Sequence, residues 1–277
     1  MTSLLDADEL RKSVLAGSGL WSDLTVVAET GSTNEDLVAA ARAGAAEGSV
    51  LVAERQTNGR GRLGRRWVSE PGAALTFSVL LRPSSVPAVR RSWLPLLTGV
   101  AVVAGLRAQT GVEASLKWPN DVLARARAGS AGKLAGILAE QAGDAIVVGV
   151  GLNVLPPPVT GPDLPALPDS ALPPASVSHL SGEPVDRAGL LAEILRELED
   201  WYLRWTRDGA PGDAAACGLR AAYLGACSTL GREVRVELPG GTVLTGRASD
   251  VDDTGRLLVT GPGGVQPVSA GDVIHVR

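Results

Sequence analysis

Between residues 54 and 67 the chain reads ERQTNGRGRLGRRW, and this segment limits the possible folds more than any other. Gly59, Gly61 and Gly64 satisfy the G-x-G-x-x-G spacing of a dinucleotide-binding turn, a weak signal by itself. In that fold the glycines open directly into a helix whose N-terminus receives a pyrophosphate. Here they run into Ala74 to Arg82, where Leu75, Phe77, Val79 and Leu81 alternate on one face as in a strand. Five arginines, at 55, 60, 62, 65 and 66, share the stretch. Cations on a glycine loop suit an anion that the loop closes over, with backbone amides and guanidinium forks turned inward. A solvated basic loop has the same composition, and Trp67 either stacks on a base or anchors the strand. Without a ligand the loop is expected to be mobile, because its arginines repel one another and lack partners.

The flanking segments mix helices and strands. Leu24 to Ala28 and Ser49 to Glu54 read as strands. Between them, Ser32-Thr33-Asn34-Glu35 offers a capping box for a helix ended by Gly44. A helix is predicted from Trp93 to Gln109, with Pro95 near its first turn. Strands follow at Ala114 to Trp118, Lys133 to Glu140 and Ala145 to Val150, with a polar hairpin loop over Arg125 to Gly132. Eight prolines between Pro156 and Pro174 mark a long irregular excursion. Leu190, Leu191, Ile194, Leu195, Leu198, Trp201, Tyr202 and Trp205 recur at helical spacing, which reads as core packing. After about Leu224, strands at Glu233 to Leu238, Thr242 to Asp250, Leu257 to Thr260 and Val273 to Val276 alternate with glycine turns. This β-unit of about fifty residues is small enough to depend on packing against its neighbour. The boundary is placed near Ala226, giving units 1–225 and 226–277.

Rare residues point to chemistry. Of 26 basic residues only Lys12, Lys117 and Lys133 are lysines, and asparagine occurs only at 34, 58, 120 and 153. A compact ammonium and a short amide are properties that arginine and alanine do not imitate. Lys117-Trp118-Pro119-Asn120-Asp121 puts an ammonium, an amide and a carboxylate at a strand end. Gly132-Lys133-Leu134 fails as a phosphate-binding loop, since Leu134 replaces the required Ser/Thr; Gly136 would let a ligand approach the next strand. Gly149-Val150-Gly151-Leu152-Asn153 offers space and a polar contact. Each segment alone is equally an ordinary turn. No G-x-S-x-G elbow, H-E-x-x-H or kinase signature is present, so chemistry would rest on positioning two substrates and neutralising charge.

Composition excludes other classes. A net charge of −4 disfavours general nucleic-acid binding. Cys217, Cys227, His179 and His275 are too few for a disulfide framework or a zinc site. No apolar run is read as membrane-spanning, and acidic residues at 6, 8 and 9 do not fit a signal peptide. A soluble, cytoplasmic protein is expected, with no membrane partner.

Taken in order, GSTN at 31–34, ERQTNGRGRLGRRW at 54–67, KWPND at 117–121, GKLAGILAE at 132–140 and GVGLNV at 149–154 resemble the biotin protein ligases. GREVRVEL, SDVDDTGRLLV and GDVIHVR resemble that family's small SH3-like domain. The resemblance implies an α+β fold: a mixed-sheet, class II synthetase-like catalytic domain followed by a small SH3-like β-barrel. It also implies a two-step reaction with biotin and ATP as substrates, Mg²⁺ accompanying the nucleotide and no identifiable metal ligands. Biotinyl-5′-AMP forms first, and the biotinyl group then passes to a lysine of a biotin carboxyl carrier protein.

By the same resemblance Ser32, Thr33, Asn34 and Gln56 would bind the biotin head group, and Gly59, Arg60, Gly61 and Arg62 would close over biotin and the phosphates. Arg65 and Trp67 would lie near the nucleotide. Lys133 would meet the biotin carboxylate and the α-phosphate. Lys117, Asn120 and Asn153 would address the adenylate, Gly136 and Gly149 would line the pocket, and Asp121 would serve the incoming lysine as a base. Lys133, Arg62, Lys117 and Asp121 form the catalytic set. Some members carry an N-terminal helix-turn-helix; about 25 residues before the first strand are too few for one, so no DNA binding is expected. The rivals are a lipoate or octanoate ligase, which the polar Ser32, Thr33 and Gln56 suit less well, and a non-catalytic anion-binding module.

Overall fold

The computed structural model describes residues 4–124, 131–157, 172–207 and 210–276, without the side chain of Leu63. The expected loop over Arg125 to Gly132 and the proline-rich excursion therefore lie largely outside the described residues. A seven-stranded mixed sheet forms the larger unit. Its strands are β1 (Asp23–Thr30), β2 (Ser49–Gln56), β3 (Ala74–Leu81), β4 (Ala114–Lys117), β5 (Asp121–Ala124), β6 (Lys133–Ala142) and β7 (Ala145–Asn153), in the spatial order β1-β2-β3-β7-β6-β5-β4. Only β1 and β2 are parallel, because the helix α2 (Thr33–Arg42) carries the chain between them; the other pairs are antiparallel.

The alternation in β3 is real, yet both of its faces are buried. Leu75, Phe77, Val79 and Leu81 face the main core, while Leu80 packs with Leu37 and Ala41 of α2 in a second one. Thr76 and Ser78 are buried polar residues of the same strand, and Ser78 is turned toward the start of α2. Against the main core lie α1 (Ala7–Leu15), α3 (Trp93–Thr110) and α5 (Arg187–Arg207). Ala88 to Thr110, with mean hydropathy 1.2, is long and apolar enough to cross a membrane, contrary to the sequence expectation. Its composition follows from its place: α3 is flanked by α5, by α6 (Leu219–Ala226) and by the sheet, so it is apolar around most of its circumference.

The smaller unit is a five-stranded antiparallel sheet of β8 (Glu233–Glu237), β9 (Val243–Val251), β10 (Leu257–Gly261), β11 (Gly264–Val268) and β12 (Asp272–His275). Its apolar residues belong to the same core cluster as the larger sheet. The turn between β9 and β10 accepts hydrogen bonds from Trp93 Nε1 at Asp253 O (3.0 Å) and from Trp118 Nε1 at Gly255 O (3.1 Å). Two tryptophans thus bury their apolar bodies and give their polar edges to the smaller unit. The expected dependence on the neighbour is visible in these contacts.

Candidate active site

The site begins where α2 starts. Ser32 is its N-cap, accepting from Glu35 N at 3.5 Å, as the sequence suggests. The second half of the capping box differs: the Glu35 carboxylate is paired with Arg60 of the basic loop. Thr33 N donates to Gln56 Oε1 at 2.8 Å, joining the helix start to the end of β2 and leaving the Gln56 amide NH₂ for another partner. Asn34 is 4% exposed and fully engaged. Its Nδ2 donates to Leu138 O (3.2 Å) and Glu140 Oε2 (2.8 Å), which only accept, so its Oδ1 is left to take the Ser78 hydroxyl proton at 2.6 Å. With that proton committed, Ser78 Oγ lies 2.7 Å from the Thr33 hydroxyl, whose single proton is placed for Ser78 or for Gln56 Oε1, 3.2 Å away. Asn34, expected to contact a ligand, is therefore placed as the support beneath Thr33.

The glycines of β7 sort the same way. A Cβ on Gly149 would stand 2.2 Å from Asn34 Oδ1, and one on Gly151 would stand 2.4 Å from the Trp67 ring. Gly149 makes room for Asn34, not for open pocket space as expected. Trp67 lies over Gly151 and near Gly136, and its indole N–H is buried without a hydrogen-bond partner among the described residues.

Beside Trp67, which shares Gly136 with the Lys133 side chain, the turn between β4 and β5, which contains a cis Trp118–Pro119 peptide, and the first residue of β6 bring the charged groups together. Lys133 Nζ is 2.7 Å from Asp121 Oδ1. The Lys133 backbone is bracketed, its N–H donating to Pro173 O (2.8 Å) and its carbonyl accepting from Ala175 N (2.9 Å) and Asn153 Nδ2 (3.3 Å). Asn153, expected at the adenylate, holds the Lys133 backbone. Asp121, expected as a base, is ion-paired with the Lys133 ammonium. Arg62 Nη1 donates to Asn120 Oδ1 at 3.1 Å, and Asn120 Nδ2 donates to Ile137 O at 3.0 Å.

Burial pushes the Lys117 ammonium below its ordinary range; Asp121 and Asp272 oppose that shift, and Lys133 and Arg65 add to it. Burial also lowers Arg62, again opposed by Asp121 and Asp272 and reinforced by Arg65. Lys117, Lys133, Arg62 and Arg65 thus share one field with Asp121 and Asp272, four cations against two carboxylates. A partly buried site with excess positive charge is built for an anion.

The basic loop is not a chain of free cations. A short 3₁₀ turn spans Arg62–Gly64, and Arg60 bridges Arg66 through the backbone. Arg55 meets Glu29 at 2.7 Å, Arg60 meets Glu35 and Arg65 meets Asp272. This removes the premise that the loop's arginines lack partners. Sequence reasoning missed Asp272, because its partner Arg65 stands 207 residues away and only β12 brings it back. It also missed Ser78 and Glu140, whose polar character inside buried or half-buried strand positions was the available signal. Among the described residues no group of three His, Cys, Asp or Glu is placed to hold a metal ion.

Comparison with known proteins agrees with this geometry. Residues 27–154 match the biotin/lipoate A/B protein ligase family, and residues 229–276 match the biotin protein ligase C-terminal domain. The chain is 46% identical to the biotin–[acetyl-CoA-carboxylase] ligase of Mycobacterium tuberculosis, over 99% of this chain and 96% of that protein. It is 31% identical to the enzyme of the same name from Paracoccus denitrificans, over 90% of this chain and 98% of that protein. The biotin protein ligase from Aquifex aeolicus, solved in complex with biotin and ATP, superposes with a TM-score of 0.71 at 27% identity, covering 93% of this chain and all of that one. With both units matched and the full length aligned, the chain belongs to the biotin protein ligase family.

Proposed function

We propose that this protein is a biotin–[biotin carboxyl carrier protein] ligase that activates biotin with ATP and transfers it to a lysine of its acceptor. The observation that carries the reading is the excess of cations around Lys133, whose ammonium lies beside Gly136, in a sheet whose β2 end joins Gln56 to Thr33 at the start of α2. A biotin carboxylate oxygen attacks the α-phosphorus of ATP, the bond to the β-phosphate oxygen breaks and pyrophosphate leaves. Lys133 and Arg62 neutralise charge that grows at the α-phosphate, and one well-placed donor of this kind is worth about 10²–10³ in rate. The acceptor amine then attacks the acyl carbon of the mixed anhydride, the carbon–oxygen bond breaks and AMP departs.

Ser32, Thr33 and Gln56 frame the head of biotin, Gln56 presenting its NH₂ to the ureido oxygen. Asn34 and Gly149 act from beneath as a fitted pair, and Gly136 leaves space beside the Lys133 ammonium. Gly59, Arg60, Gly61 and Arg62 form the flap over biotin and the phosphates. Lys117, Asn120, Arg65 and Trp67 address the adenylate, with the unpartnered indole N–H as one donor. Asn153 and Asp121 hold Lys133 in place. The donor set does not suit a protein-held Mg²⁺, since Asp121 and Asp272 are both committed to cations; the ion would accompany the nucleotide phosphates. The chain divides near Ala226, although Ser228 N still donates to Leu116 O of β4 at 2.7 Å.

Pyrophosphate release with ATP and each of biotin, lipoate and octanoate tests the reading. Release with biotin alone is the expected result. Release with lipoate or octanoate and not biotin would replace the substrate, and biotin binding without release would make this an anion-binding module.

A further inference from the structure

The Glu35 side chain departs from what its sequence context favours. At the third position of α2, after an N-cap serine, a glutamate is expected to turn back onto the Ser32 amide. It is paired instead with Arg60 of the flap, 25 residues on, and both side chains are partly exposed, at 38% and 50%. A local rule broken next to a site marks a competing use of the residue. The root of the flap is tied to the turn before α2, Thr57 N donating to Thr30 O and Asn58 N to Gly31 O at 2.9 Å each; beyond Asn58, Arg60 and Arg66 bridge through the backbone, Trp67 N donates to Gly59 O at 2.9 Å, and the Arg60 side chain makes the contact with α2 itself.

We propose that Glu35 is a positioning residue that latches the arginine flap, through Arg60, onto the N-terminus of the helix that frames the biotin pocket. Because Ser32, Thr33 and Glu35 occupy one helical turn, the latch couples flap closure to the wall carrying Thr33 and Gln56. An exposed ion pair is weak and salt-sensitive, which suits a flap that opens at each turnover to release pyrophosphate and admit the acceptor lysine.

The latch rests on the flap reading given above, but its test needs no turnover, so failure of one is distinct from failure of the other. Limited trypsin digestion of the ligand-free, full-length protein reads opening as cleavage at Arg60, Arg62, Arg65 and Arg66. In Glu35→Gln the Ser32 side chain can still accept from the residue-35 amide, so the N-cap is kept while the ion pair is lost. Cleavage of this variant is expected to rise about two- to fivefold, the range that an exposed pair commands, with an unchanged melting temperature. Its biotin KM should rise in parallel, with kcat nearly constant. The reversed pair Glu35→Arg/Arg60→Glu should restore protection at the remaining arginines. Wild-type cleavage in Glu35→Gln, or no recovery in the reversed pair, would overturn the latch. A fall in melting temperature in Glu35→Gln that accounts for the added cleavage would assign Glu35 to the helix alone.

Discussion

Adding one methyl group at Gly149 should unseat the support beneath Thr33. The new Cβ would lie 2.2 Å from Asn34 Oδ1 and 3.1 Å from Ser78 Oγ. Ser78 can give a few tenths of an ångström, but Asn34 cannot, being 4% exposed and held at both ends of its amide. Gly149→Ala therefore expels Asn34. Two neutral hydrogen bonds, to Ser78 and Leu138 O, cost about 1 kcal/mol each, and the bond to the Glu140 carboxylate about 1.5–3. The loss is about 3.5–5 kcal/mol, read by urea unfolding at fixed pH as a lower midpoint with an unchanged slope. The double variant Asn34→Ala/Gly149→Ala separates this cause from general strain. With the amide gone, the second substitution should add less than about 1 kcal/mol to the first, a coupling expected of groups in contact. A Gly149→Ala protein as stable as the wild type, or additive losses in the double variant, would refute the reasoning.

Other outcomes follow from the same geometry. Lys133→Ala and Arg62→Ala should each lower pyrophosphate release by about 10²–10³ while circular dichroism stays native; near-normal turnover in both would remove the site assignment. Arg187 and Glu54 form a buried pair, 3% and 4% exposed, with contacts of 2.8 and 3.0 Å. Arg187→Met should cost about 3–5 kcal/mol in urea unfolding, and Glu54→Gln on top should recover part of it. Burial holds His275 down to about 4 from 6.5, with Lys117 and Arg232 adding to the shift. The unfolded chain thus takes up a proton below about 6.5 that the folded protein refuses until about 4, so stability falls as pH drops through that window. His275→Asn should flatten the urea midpoint between those limits; an identical pH dependence would refute a buried neutral histidine.

Much of this architecture was legible because the local signals agreed. The Ser32 cap, the alternation in β3, the stripe of α5 and the placement of Pro95 in the first turn of α3 each agree with one periodicity. What escaped lacked room for a pattern or contradicted one. β5 is four residues long and follows a proline turn directly, too short to show alternation. β11 contains Pro267, which argues against a strand, yet it lies at the sheet edge, where a missing N–H is tolerated. In α1, nine residues bury only Leu10 and Val14, a faint i, i+4 signal. In the site, Lys117, Asn120, Asp121 and Lys133 stood out by residue type and strand-end position, and the structure gathers them with Arg62. Their partners were not: Glu35 with Arg60, Asp272 with Arg65 and Gly149 with Asn34 are pairings that only the folded sheet order creates.

The central claim is that the cations around Lys133 join a carboxylate to the α-phosphate of ATP. ATP labelled at the α-phosphate, incubated with the protein and biotin, tests it most directly by chromatography of the products. The account predicts labelled biotinyl-5′-AMP and unlabelled pyrophosphate from the wild type, a trace from Lys133→Ala, and conversion to labelled AMP once a biotin carboxyl carrier protein is added. Label recovered as ADP, or an intermediate that forms equally well without the Lys133 ammonium, would contradict it.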